Sequence, residues 1–326
     1  MTDSFPTLSR AIEGFLIEKR GQGRSDDTLH DYTNNLKRFH KFIGDVPINQ
    51  ITSKHMTEFF NFLQDFKYSP GRTGDPSTMR KLSDKTIANA RTALSSFWGW
   101  VQEEFDIPAP KIPKRGFKET PIAPFTDEEV ERILKACDYS YCEPSNRAPY
   151  KAARRTRLRD KAIIMMLFDT GVRSGELCGM RYRDLDMENY RILVTGKGRK
   201  QRYVYFGKNT ARHLWKYNAS RFPRATPHPD DYLFVDNQEL RPMNRDSVKQ
   251  LLSRIGKKAG VPKTHPHRFR HTFAVSFLRN GGNVFQLQDL LGHTSLKMCR
   301  RYVMLVENDL KAIHRVASPG DHLLRR

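Results

Sequence analysis

HPHRFRHTFA, His265 to Ala274, carries three histidines and two arginines in its first seven positions, in a chain of 326 residues that has 11 histidines altogether. Pro266 suits the first turn of a helix. A helix starting there sets His267, Arg270 and His271 at i, i+3 and i+4, on one face near its N-terminus. Unpaired backbone N–H groups and the helix dipole favour an anion at that end, so a phosphate fits the place. Two other readings stay open on this stretch alone. His267 and His271 have the i, i+4 spacing of a zinc site, but Arg268 stands where an HExxH motif has glutamate, and two arginines between the histidines repel a divalent cation. A histidine here can also be a packed structural residue.

Composition favours the anion. Lysine and arginine total 57 against 36 aspartate and glutamate, a formal net charge of +21. A chain this basic repels itself unless it works beside a polyanion. No apolar run approaches the ~20 residues of a membrane span, and MTDSFPTLSR lacks the basic and apolar regions of a secretory signal. The expectation is a soluble cytoplasmic protein that binds nucleic acid and no membrane. Cys137, Cys142, Cys178 and Cys299 form no CxxC pair, so they are expected as reduced thiols rather than zinc ligands or disulfides.

Hydrophobic residues make up 38% of the chain, enough for two cores, and single cores stop growing near ~250–300 residues. The first hundred residues show four apolar stripes at helical spacing: Leu8, Ile12, Phe15 and Leu16; Leu29, Tyr32, Leu36 and Phe39; Met56, Phe59, Phe60 and Leu63; Ile87, Leu94, Phe97 and Val101. IPAPKIPKRGFKETPIAPF, Ile107 to Phe125, is rich in proline and basic residues and reads as a linker. Thr126 and Glu129 then form a capping box that opens a second domain. A basic stretch, Lys151 to Arg159, leads into the apolar helix AIIMMLF. RILVTGKGRKQRYVYF, Arg191 to Phe206, is a β-hairpin with basic residues at its tip. Helical patterns return from Ser247 onward.

Several further polar residues are unremarkable singly. Arg173 and Glu176 in TGVRSGEL read as a helix-surface pair. Lys197 in TGKGRK reads as a solvated turn, and Tyr302, nine residues after His293 in LLGHTSLKMCRRY, as a core tyrosine. Together, TGVRSGEL, the Lys197 hairpin, HRFRHTFA, LGHTS and the RRY tyrosine resemble, in order and approximate spacing, the tyrosine recombinases or phage integrase family. The resemblance spans the whole chain and is closest to the simpler, Xer-like two-domain build.

That resemblance implies a mainly α fold with a small β-sheet. A helical, SAM-like core-binding domain would occupy 1–106, a basic Pro-rich linker 107–125, and an α+β catalytic domain with a C-terminal tail 126–326. It implies that Arg173 and Arg270 grip a scissile phosphate, that Lys197, His267 and His293 complete the catalytic set, and that Tyr302 is the nucleophile, with Glu176 and His271 in support. Arg268 departs from the acidic or small polar residue common after the histidine. Lys111, Lys114, Arg115 and Lys118 in the linker, and Arg199, Lys200 and Arg202 in the hairpin, are expected DNA contacts. His265 and Arg268 are left without a role.

The chemistry suits these residue types. Two guanidiniums can hold the oxygens of a five-coordinate phosphorane bidentately. A tyrosine of reference pKa ~10 needs a base or a cationic setting, which His267 can supply. The departing 5′-oxygen needs a proton, and Lys197 is placed to give it. The 3′-phosphotyrosyl link stores the energy of the broken bond, so no cofactor, metal or ATP is expected. The expected function is site-specific recombination of double-stranded DNA, for integration and excision of a mobile element. Inverted binding arms, a tetramer on two sites and nucleoid association accompany it. A type IB topoisomerase and a catalytically silent DNA-binding regulator are the alternatives. The tail after Tyr302 is expected to dock on a neighbouring subunit or on its own domain.

Overall fold

The computed structural model describes residues 5–69, 79–113, 123–142, 150–236, 241–293, 295–303, 314 and 318–323, with Lys197 described by its backbone. The chain divides into two compact units, Met1–Thr120 and Pro121–Arg326. Lys114, Arg115, Lys118 and nearly all of the tail after Val303 lie outside the described residues.

The first unit contains α1 (Leu8–Gly21), α2 (Asp26–Ile43), α3 (Ser53–Asp65) and α4 (Asp84–Phe105). The four apolar stripes lie on these helices and bury against one another: Phe15 meets Phe97 edge-on at 5.6 Å, and Phe39 meets Phe59 at 5.0 Å. Thr52 caps α3, and the Ser83 hydroxyl caps α4 by accepting the Thr86 N–H. A two-residue pair, β1 (Lys67–Tyr68) with β2 (Arg80–Lys81), adds a feature too short to show alternation in sequence. The start of the Pro-rich segment lies along this unit. Ile107 is buried, the Lys111 N–H donates to Ser53 Oγ at 2.8 Å, and Arg91 Nε donates to the Pro113 carbonyl at 2.7 Å.

The second unit opens with α5 (Asp127–Ala136), where Thr126 and Glu129 make the reciprocal capping bonds at 3.2 Å each. An antiparallel pair, β3 (Tyr139–Cys142) with β4 (Tyr150–Ala153), replaces the plain basic lead-in read from the sequence. In α6 (Arg157–Thr170) Ala162, Ile163, Ile164, Met166 and Leu167 are all buried, because consecutive apolar residues cover more than one face. That helix sits centrally, against α8 (Lys208–Arg221) and α10 (Pro266–Arg279). The short α7 (Ser174–Gly179) follows α6, and α9 (Arg245–Ala259) packs on α5. The sheet runs β5 (Leu185–Asp186), β6 (Arg191–Thr195), β7 (Gln201–Tyr205), all antiparallel. Ile192, Val194 and Val204 face the core. Finally, α10, α11 (Val284–Leu291) and α12 (Lys297–Val303) enclose a small cluster of their own that includes Cys299 and Tyr302. Among the described residues no helix is long and apolar enough to cross a membrane.

The two residues of HPHRFRH left without a role are structural. His265 is the N-cap of α10, its ring Nδ1 accepting the Arg268 N–H at 3.3 Å. Arg268 is buried. It donates to Glu129 at 2.7 Å and to the carbonyls of Pro262 and Ala123 at 2.8 and 3.0 Å, and it lies 3.9 Å over the Phe125 ring. It thereby ties the entry of the second unit to the start of α10. Arg268→Met should destabilise this unit by about 2–3 kcal/mol, since its charge-assisted bonds to Glu129 and to the carbonyls of Pro262, Ala123 and Pro124 are lost. Urea unfolding with an unchanged m-value checks it.

Candidate active site

Gly171 ends α6 with a φ of 61°, where a Cβ would stand 2.4 Å from the Phe273 ring, so only glycine lets the chain turn there. The turn delivers Arg173 to the N-cap of α7. Its backbone N–H and its Nη1 donate to the two oxygens of Glu176 at 2.9 and 3.0 Å. Arg202 of β7 clamps the same carboxylate, Nη1 and Nη2 each at 2.9 Å. Burial pushes the Glu176 carboxyl upward, but the Arg202 bonds, the Arg173 N–H and both guanidinium charges outweigh it and hold it below the ordinary range.

Arg270 reaches the same place from α10. It donates Nη1 to the Gly171 carbonyl at 2.8 Å and Nη2 to the Leu291 carbonyl at 2.7 Å. Arg173 Nη1 also reaches the Leu291 oxygen, at 3.4 Å. Two arginines almost a hundred residues apart therefore meet at one carbonyl, the negative end of α11. Burial, then the charge of Arg173, lowers Arg270 to about 10, which leaves it a cation at neutral pH. Among the described residues Nε and Nη2 of Arg173 make no hydrogen bond, and its side chain is 37% exposed, so donors face outward.

His293 follows α11 through Gly292, φ 61°. Its Nε2 lies 2.9 Å from Arg270 Nη2 and its Nδ1 3.1 Å from Cys299 Sγ. A guanidinium can only donate, so Nε2 accepts and Nδ1 carries the hydrogen toward sulfur. Tyr302 is bracketed by the His271 ring at 5.3 Å and the His293 ring, nearly parallel, at 6.4 Å. Cys299 and the Leu291 carbonyl were not among the residues expected at the site. A backbone oxygen leaves no mark on a side-chain pattern.

His267, in the first turn of α10, is open to solvent on one side and backed by protein on the other. That desolvation, then the charges of Arg270 and Arg173, holds its imidazole below the ordinary value and therefore neutral near pH 7. A histidine depressed in the fold contributes stability above its unfolded pKa and loses it as pH falls toward the folded one. The urea midpoint should accordingly drop below about pH 6.5. The His267→Gln variant should drop less steeply, and equal slopes would contradict the assignment.

Lys197 opens the turn Lys197–Arg199 between β6 and β7. Arg199 and Lys200 are exposed, as is Lys111 in the first unit. Arg202 is not placed as expected. It was read as a DNA contact, yet its guanidinium turns inward to Glu176 and its Nε donates to the Leu290 carbonyl at 2.7 Å, leaving the side chain 14% exposed. Strand alternation explains this, because Arg202 shares a face with buried Val204. No group of three or more His, Cys, Asp or Glu converges as a metal site among the described residues.

Comparison with known proteins gives the family and the fold of the chain. The phage integrase family profile matches residues 124–308, and that of the phage integrase N-terminal SAM-like domain matches 12–107. The tyrosine recombinase XerC of Staphylococcus saprophyticus is 28% identical over 301 residues, covering 90% of this chain and 92% of that protein. The tyrosine recombinase XerA of Saccharolobus solfataricus is 29% identical over 302 residues, covering 92% and 88%. In fold, the chain is similar to the XerH site-specific recombinase bound to difH substrate, with a TM-score of 0.62, 22% identity and coverage of 89% and 79%. It is also similar to the Tn1549 transposon integrase in complex with transposon right end DNA, with a TM-score of 0.64, 20% identity and coverage of 91% and 94%. The chain belongs to the phage integrase family and is a tyrosine recombinase, with a SAM-like domain ahead of its catalytic domain.

Proposed function

We propose that the chain cleaves and rejoins double-stranded DNA at specific sites through a 3′-phosphotyrosyl link made by Tyr302. The observation that carries this is the convergence of Arg173 and Arg270 on the Leu291 carbonyl, with His293 bonded to Arg270 and ring-parallel to Tyr302. Such a pocket is cationic, partly dry and open on the Arg173 side, which suits a phosphodiester gaining charge.

In this reading Tyr302 Oη bonds to phosphorus and its proton passes to neutral His267. Arg173 and Arg270 hold the non-bridging oxygens of the five-coordinate species, and His293, accepting from Arg270, keeps that guanidinium in place. The bond from phosphorus to the 5′-oxygen breaks, and that oxygen takes a proton from Lys197. A 5′-hydroxyl of a partner duplex reverses the steps and exchanges strands. Arg199, Lys200 and Lys111, with Lys114, Arg115 and Lys118, contact the DNA backbone. The assembly is a tetramer on two sites, each with inverted arms, and the biological use is integration and excision of a mobile element.

A nicked duplex built on the binding site selected from randomised DNA, incubated with the chain in EDTA, tests the reaction. A denaturant-stable adduct lost in Tyr302→Phe supports it. Relaxation of any supercoiled plasmid without site preference would favour a topoisomerase, and tight salt-sensitive binding with no cleavage would favour a regulator. Adducts at both ends of one element in the source genome support the biological use; adducts confined to one chromosomal site overturn it.

A further inference from the structure

We infer that Arg202 is a positioning residue for the Lys197 hairpin: it fastens the base of that hairpin to Glu176 and to the end of α11, so that the acid is held in register with the arginine pocket. The inference rests on the reading of Lys197 as the proton donor.

Arg202 spends all three nitrogens on this connection, two on Glu176 and Nε on the Leu290 carbonyl. The same carboxylate holds Arg173, and the next carbonyl along, that of Leu291, holds Arg173 and Arg270. Hairpin and phosphate pocket are therefore referenced to one carboxylate and two successive peptide units. The backbone closes on this cluster from both sides. A Cβ on Gly196 would stand 3.2 Å from Glu176 Oε1, and one on Gly292 would stand 3.2 Å from Arg202 Nη1.

Few hydrogen bonds among the described residues hold the turn itself. Beyond the last ladder pair, Thr195 with Gln201, the Gly196 N–H to Lys200 carbonyl bond at 2.8 Å closes it, and residues 198–200 are exposed. Arg202 pairs with Val194 in the ladder, three residues before Lys197, so it anchors the strand about 10 Å from the lysine. A shift at that anchor is carried to the turn. A fork of three fixed donors sets a position that a lysine, a single point charge, does not.

A substrate with sulfur in place of the bridging 5′-oxygen separates this role from a general structural one, because a thiolate leaves without needing a proton. The full chain is compared with Arg202→Lys, Gly196→Ala and Lys197→Ala on nicked duplexes of the selected site carrying either atom. On oxygen, Arg202→Lys should cleave about 10²-fold slower, the scale of a lost general acid. On sulfur it should return close to the wild-type rate, and its salt slope for binding should be unchanged. Gly196→Ala, which leaves every donor in place but crowds Glu176 Oε1 at 3.2 Å and so shifts the hairpin base against it, should show the same rescue and keeps the test alive if Arg202→Lys folds poorly. Equal slowing on both substrates, or a salt slope smaller by about 0.9, overturns the inference, the latter by making Arg202 a phosphate contact. If Lys197→Ala is itself not rescued by sulfur, the premise about Lys197 fails. If it is rescued while the other two variants are not, the Arg202 role alone fails.

Discussion

Arg270→Ala is expected to slow strand cleavage by about 10³-fold or more, while leaving the second unit at least as stable as before. The donors of Arg270 organise the pocket: one holds the Gly171 carbonyl that sets Arg173, and another joins the Leu291 carbonyl to His293. Removing the guanidinium removes both a phosphate ligand and the partner that fixes the His293 tautomer. Arg270→Lys should recover little, since an ammonium cannot fork. The stability side follows from the lowering of Arg270 to about 10 by burial and by Arg173. The fold holds this charge against its preference by a few kcal/mol, about 1.4 for each pKa unit. Deleting it releases that cost and strands the Gly171 carbonyl, while the Leu291 carbonyl keeps Arg173. Single-turnover cleavage together with urea unfolding reads both outcomes, and a variant that loses several kcal/mol would contradict the account.

Glu176→Ala should have the opposite balance, costing the second unit about 3–5 kcal/mol. The carboxylate is 3% exposed and receives four donors, two from Arg202 and two from Arg173. Its loss leaves Arg202 beside a gap it cannot fill with water at low cost. Glu176→Gln should fall between, since an amide oxygen still accepts from one side but its NH2 group faces a guanidinium. Cleavage should fall with stability, because Arg173 loses its reference. A loss below about 1 kcal/mol would mean that solvent screens this network as it does a surface pair.

The elements carrying the site were readable because each follows one simple periodic or capping rule. The four stripes of the first unit, the Thr126 and Glu129 capping box, the hairpin of β6 and β7 and the Pro266 helix start all have that form. Helix α8 was harder to see, because its buried side is only Thr210, Ala211, Leu214 and Tyr217 on an otherwise polar helix. The site showed a parallel split. Arg173, Arg270, His293 and Tyr302, named by motif, are brought together by the fold. Arg202 was read from its charge, which pointed to DNA, although its register beside Val204 turned it inward. The Leu291 carbonyl could not be found, since any residue at the end of α11 supplies the same oxygen. Arg268 stands out in the sequence only as a departure from the family pattern, without a role; Glu129 and the carbonyls of Ala123 and Pro262 come to it only in the fold.

Tyr302 is the residue expected to carry the DNA. Mass spectrometry of the protease-digested covalent adduct tests it most directly. One DNA-linked peptide is expected, with the modification on Tyr302 and the bond made to a 3′-phosphate, leaving a free 5′-hydroxyl on the other fragment. A link on any other residue, or to a 5′-phosphate, would contradict it.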